Sequence, residues 1–197
     1  MSQLRRVCVF CGSNSGRRPE YVRAARELGR ELARRGVGLV YGGANVGLMA
    51  EAADAVLASG GEAIGVIPRF MMRKEIAHQG LSELHIVETM HQRKACMAEL
   101  SDGFVALPGG LGTLEEFCEV VTWAQLGLHP KPCGLLDAAG FYADLIRFLD
   151  HCVVEGFVRV EHRAAVISAS SPGELLDRFA EHQPVEVSKW IDGKALT

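Results

Sequence analysis

The stretch Gly103-Phe104-Val105-Ala106-Leu107-Pro108-Gly109-Gly110-Leu111-Gly112-Thr113-Leu114-Glu115-Glu116 decides how this chain folds. Residues 103–107 read as a short buried strand, 108–112 as a glycine-rich turn, and 113–126 as a helix. Glycine leaves no side chain between backbone and ligand, and a helix N-terminus carries partial positive charge, so the turn reads as a phosphate seat. Its spacing, G-G-x-G-T, is neither the lysine-containing P-loop nor the dinucleotide G-x-G-x-x-G. The following helix brings a carboxylate, Glu116, close to whatever the phosphate is attached to.

Outward from this unit the same alternation runs along the chain. Strands are expected at 6–10, 37–41, 62–67, 84–87, 132–136 and 165–168, and helices at 19–35, 46–58, 90–100, 142–155 and 172–182; residues 69–81 read as irregular. Alternating strands and helices imply βαβ units, so the predicted fold is α/β: a Rossmann-like, doubly wound parallel sheet with helices on both faces. One domain is expected over residues 1–183, with 184–197 as a tail. Such sheets bind ligands beyond the carboxyl ends of their strands. Three glycine turns fall there: Gly12-Ser13, Gly42-Gly43 and Gly109-Gly110.

Bulk composition narrows the function. A net charge of −3 argues against a broad nucleic-acid surface but leaves room for a local anion site. No apolar run approaches the ~20 residues of a membrane span, and the run after Met1 is too short and interrupted for a signal peptide. The six cysteines sit mostly in apolar segments, which reads as reduced thiol in a cytoplasmic protein. Cys8 and Cys11 are formally C-x-x-C, but no second pair follows and a strand would point them to opposite faces. No metal site is expected.

The candidate residues each carry two readings. Gly109, Gly110, Gly112 and Thr113 form either a phosphate turn or an ordinary strand-to-helix turn, the first being favoured by their density. Thr113 and Glu116 also fit a capping box, in which Glu116 folds back onto the helix N-terminus. Arg93 and Lys94 could clamp an anion or belong to a solvated basic face. His91 reads as structural, and the other histidines lack metal-ligand spacing. Glu75 lies in the irregular stretch as a lid residue or a solvated charge, and Trp123 reads as core.

Taken together, Pro108-Gly109-Gly110-x-Gly112-Thr113-x-x-Glu116 and Met90-His91-x-Arg93-Lys94 resemble the paired motifs of the Lonely Guy family, the cytokinin riboside 5′-monophosphate phosphoribohydrolases, many of which carry the label "lysine decarboxylase". Further likenesses are Val9-Phe10-Cys11-Gly12-Ser13, Tyr41-Gly42-Gly43 with Gly47-Leu48-Met49, Gly65-Val66-Ile67-Pro68 and Thr122-Trp123-Ala124-Gln125-Leu126-Gly127. Ala44 and Ala50 stand where the family often has glycine.

The resemblance implies hydrolysis of the N-glycosidic bond of a nucleoside 5′-monophosphate, AMP included, to free base and ribose 5-phosphate. It implies Arg93 and Glu116 as catalytic residues, and Glu75, Lys94, Gly109, Gly110, Leu111, Gly112, Thr113, Leu114, Glu115 and Thr122 as further residues of the substrate site. It also implies a homodimer and no cofactor. A lysine decarboxylase would need pyridoxal phosphate on a lysine, and only Lys94 stands near the motifs. The rival from another class is a non-catalytic nucleotide or cofactor carrier, which would need the glycines but not the Arg93–Glu116 pair.

Overall fold

The computed structural model describes residues 4–72 and 77–185. Chain order runs β1 (Arg6–Phe10), α1 (Pro19–Arg34), β2 (Gly38–Tyr41), α2 (Gly47–Ala58), β3 (Ala63–Pro68), β4 (Glu83–Val87), α3 (Met90–Glu99), β5 (Gly103–Ala106), α4 (Leu111–Gln125) and β6 (Cys133–Leu136). A 3₁₀ turn (Ala138–Gly140), α5 (Ala143–Val154), α6 (Val160–Ala164), β7 (Val166–Ala169) and α7 (Pro172–Ala180) complete the described elements. The seven strands form one sheet in the order β4-β3-β2-β1-β5-β6-β7, with every neighbouring pair parallel.

Period-two alternation along buried strands gives the sheet two apolar faces. Val7, Val9, Leu39, Tyr41, Val105 and Leu107 pack under α1, α2 and α7. Cys8, Phe10, Val40, Phe104 and Ala106 point the other way, under Met97 of α3 and Phe117 and Val120 of α4. Cys8 and Cys11 accordingly belong to opposite layers, and all six cysteines are free thiols.

The order reverses between β1 and β5, and this switch point opens a crevice at the carboxyl edge. Hydrogen bonds hold its rim. The Gly12 amide donates to the Pro108 carbonyl (3.0 Å), the Leu48 amide to the Gly12 carbonyl (3.1 Å), and the Tyr142 hydroxyl to the Leu107 carbonyl (2.6 Å). Beyond β3, Ala77 bridges Ala44 and the His78 amide donates to the Gly43 carbonyl, docking this segment onto the turn after β2. Ala44 is fully buried in that contact.

Two expectations are corrected. Helix α6 was not expected; five residues are too few to show a helical period, and Arg163 holds it to α5 by donating from Nε to Asp150 Oδ1 (2.7 Å). Helix α4 begins at Leu111 rather than Thr113, with Gly110 as its extended N-cap residue (φ −96°, ψ −156°).

Candidate active site

The glycine turns after β1, β2 and β5 meet around one cavity of about 370 Å³. Gly12 and Ser13 line it from the turn after β1, Gly42 from that after β2, and Gly110, Leu111, Gly112 and Thr113 from the start of α4. Arg93 enters from α3, Glu115 and Glu116 from α4.

The expected phosphate seat is a bare helix end. No side chain caps α4, and its first turn holds no acidic residue, so its leading N–H groups and dipole are left for an anion. A Cβ at Gly110 or Gly112 would meet no protein atom within 4 Å. The fold therefore does not require glycine at either position; a side chain there would stand between the amides and an anion. Gly109 differs, because its Cβ would overlap the buried Thr113 hydroxyl. It lines a smaller adjoining cavity with Ser15, Tyr21 and Phe141.

The early start of α4 also corrects the capping box. Thr113 is the third helical residue and Glu116 the sixth, so neither caps the N-terminus. Gly110 supplies the extended N-cap conformation, and the helix starts directly after the turn. Glu116 instead faces Arg93. Their side chains are 13% and 8% exposed, and Arg93 Nη1 stands 3.9 Å from Glu116 Oε1. Arg93 Nη1 also lies 3.9 Å from Met90 Sδ, and its Nε is buried without a hydrogen-bond partner among the described residues. The reading of Arg93 as a solvated basic residue is thus overturned. Both charges are therefore held largely out of solvent at the edge of the cavity.

Lys94 points elsewhere. It is 11% exposed and donates from Nζ to Glu115 Oε1 (2.6 Å) and Glu119 Oε1 (3.0 Å), tying α3 to α4. Burial opposes its charge, but the two carboxylates outweigh burial and raise its pKa. Cys11 lines the cavity too; burial, then the charge of Glu116, drives its pKa far above the ordinary thiol value. It remains a thiol at neutral pH and is no nucleophile.

Of the other expected residues, Leu114 packs half-buried against the α3–α4 layer, and Thr122 is exposed and donates to the Cys118 carbonyl (2.7 Å). Neither lines the cavity in this chain. Glu75 lies outside the described residues. His91 is exposed, and Trp123 is partly buried against the core. Sequence reasoning missed Met49, Met71, Met90 and Met97, which also line the cavity. Four of the chain's six methionines gather there, but a methionine bound for a pocket looks like one bound for the core.

A second cavity of about 150 Å³ lies at the amino edge of β6 and β7, among Val121, Ala124, His129, Cys133, His162, Val166 and His182. Among the described residues it is lined by no carboxylate, and Lys131 in its wall donates to the Ala98 carbonyl (2.7 Å). The charged side chains Arg93, Glu115 and Glu116 converge at the carboxyl edge instead. Among the described residues no group of three histidine, cysteine or acidic side chains could hold a metal ion, and no helix is long and apolar enough to cross a membrane.

Comparison with known proteins bears on the family and the fold. Residues 49–179 match a family model described as "Possible lysine decarboxylase". The chain is 53% identical over 184 residues to a "Probable cytokinin riboside 5'-monophosphate phosphoribohydrolase" of Oryza sativa subsp. japonica, covering 93% of this chain and 81% of the relative. It is 49% identical over 183 residues to a cytokinin riboside 5'-monophosphate phosphoribohydrolase of Arabidopsis thaliana, covering 93% and 84%. Among solved structures, the molybdenum cofactor carrier protein of Chlamydomonas reinhardtii superposes with a TM-score of 0.69 at 21% identity, covering 91% of this chain and 97% of the other. The molybdenum cofactor binding protein of Rippkaea orientalis gives 0.64 at 23% identity, covering 92% and 98%. At such identities these structures speak to the fold alone. The sequence relatives reach further: the chain belongs to the family of the cytokinin riboside 5′-monophosphate phosphoribohydrolases, the Lonely Guy family.

Proposed function

We propose that this protein hydrolyses the N-glycosidic bond of cytokinin riboside 5′-monophosphates, and of AMP, to free base and ribose 5-phosphate. The observation that carries the reading is the buried Arg93–Glu116 pair facing the cavity beside an uncapped helix N-terminus. The 5′-phosphate takes the amides at Gly110, Gly112 and Thr113, which sets C1′ against Glu116. As the C1′–N bond breaks, positive charge builds on C1′ and the ring oxygen, as in glycoside hydrolysis. Glu116 stabilises that charge and polarises the attacking water. The water's hydroxyl ends on C1′ and its proton on the departing base. Arg93 orients Glu116 or assists the leaving group. The methionines that line the cavity offer the base and its apolar substituent soft, adaptable contacts.

A carrier would need the glycine turn but not this pair. Pyridoxal chemistry does not suit Lys94 either: it needs a lysine amine that can lose its proton, and Lys94 is held charged by two carboxylates. In the same reading residues 1–183 form the hydrolase domain. The protein acts as a homodimer, an inference that exposed apolar side chains on and after α5 support, and its six free thiols suit the reducing cytoplasm.

The test is chromatographic detection of base after incubation with AMP, isopentenyladenosine 5′-monophosphate and the two corresponding nucleosides. Release from the monophosphates alone is expected. Equal turnover of nucleosides would overturn the phosphate anchor, and binding without release would overturn the hydrolase reading and leave a nucleotide binder.

A further inference from the structure

Gly42, the residue after β2, belongs to a glycine pair read from sequence as a turn, yet the two glycines serve different ends. Gly43 has φ +73°, a conformation side-chain-bearing residues rarely adopt. Gly42 has no such φ, so its backbone would accept alanine. What an alanine Cβ would meet is the Arg93 guanidinium: it would overlap Nη2, lie 3.3 Å from Cζ, and stand 3.1 Å from Met49 Sδ. Its three nearest neighbours are therefore all atoms of flexible side chains lining the cavity, none of them backbone. The fold can yield to that methyl group; the guanidinium cannot stay where it is.

We infer that Gly42 is a positioning residue, a floor whose missing side chain sets the Arg93 guanidinium opposite Glu116. This rests on the hydrolase reading of the cavity. The Arg93 Nη1–Glu116 Oε1 separation of 3.9 Å leaves no firm hydrogen bond between the two to fix the guanidinium from the other side. Its Nε makes no hydrogen bond among the described residues and its Nη1 has only the soft sulfur of Met90 at 3.9 Å beside Glu116, so contact with the floor shares in placing it.

The experiment is a double-mutant cycle on base release from isopentenyladenosine 5′-monophosphate: wild type, Gly42→Ala, Arg93→Lys and the double variant. Lysine keeps the charge but has no Nη2 for the methyl group to meet. Displacing a catalytic group by about 1 Å can cost about 100-fold, so Gly42→Ala should lower kcat by roughly 10- to 100-fold. The phosphate seat is untouched, so KM should stay within about threefold, and melting within about 2 °C, because no backbone contact is strained. In the Arg93→Lys background the same alanine should cost less than about twofold. An unchanged kcat in Gly42→Ala, or the same loss in both backgrounds, would overturn the positioning role while leaving the hydrolase reading intact. Absence of turnover by the wild type would overturn both.

Discussion

In the proposed mechanism Glu116, largely buried beside a helix end suited to phosphate, works against its substrate in the ground state. Its repulsion of a bound monophosphate becomes attraction once the sugar turns cationic, which is the differential that accelerates a reaction. Glu116→Gln keeps the shape and removes the charge. We predict that kcat for base release falls by about 10²- to 10⁴-fold while the dissociation constant for AMP decreases. Single-turnover release and titration calorimetry read the two separately; parallel loss of rate and affinity would show Glu116 to be a binding group only. The sequence could not choose between cap and catalyst for Glu116, because Thr113 is locally the better N-cap and the true cap, Gly110, was hidden among other glycines. Arg93 and Lys94 were equally ambiguous. Adjacent helical residues point in different directions, and only the packing of α3 on the sheet sends one into the cavity and the other to Glu115 and Glu119.

In the proposed mechanism helix α4 joins the phosphate seat to the catalytic carboxylate, and its uncapped first turn suits a ligand better than it suits stability. Gly112 is its second residue, with open space where a Cβ would stand. Alanine exceeds glycine in helix propensity by about 0.8–1.0 kcal/mol in a helix interior, less near an end. Gly112→Ala should therefore raise the melting temperature by about 1–3 °C. The same methyl group enters the anion site, so KM for the monophosphate should rise at least about fivefold, with melting and steady-state kinetics as the two readouts. Gains in both stability and affinity would mean that the phosphate does not sit on these amides. Elements such as α4 were legible because glycine turn, apolar period and length agree. Helix α6 and the exact start of α4 were not, since short elements and cap choice depend on neighbours distant in sequence.

At the scale of the whole molecule, alternation of strand and helix was enough to predict a parallel sheet, but strand order was not written locally. It depends on pairings such as β1 with β5, reinforced where the Arg5 and Arg6 amides donate to Asp102 Oδ2 (2.9 and 3.0 Å). The predicted dimer belongs to this scale too. Helix α5 has no buried residue and carries an exposed Phe148, while Val154, Phe157 (83% exposed) and Val160 continue the apolar surface around its end. Burying one such side chain is worth about 1.5–3 kcal/mol, so two copies covering several of them have a substantial driving force. Sedimentation equilibrium at micromolar concentration should give twice the chain mass, and Phe148→Asp with Phe157→Asp should return the protein to monomer. Neither phenylalanine is in the core, so the melting of the separated chain should remain cooperative. A monomeric wild type would overturn the dimer, and a dimer indifferent to both substitutions would move its interface away from α5.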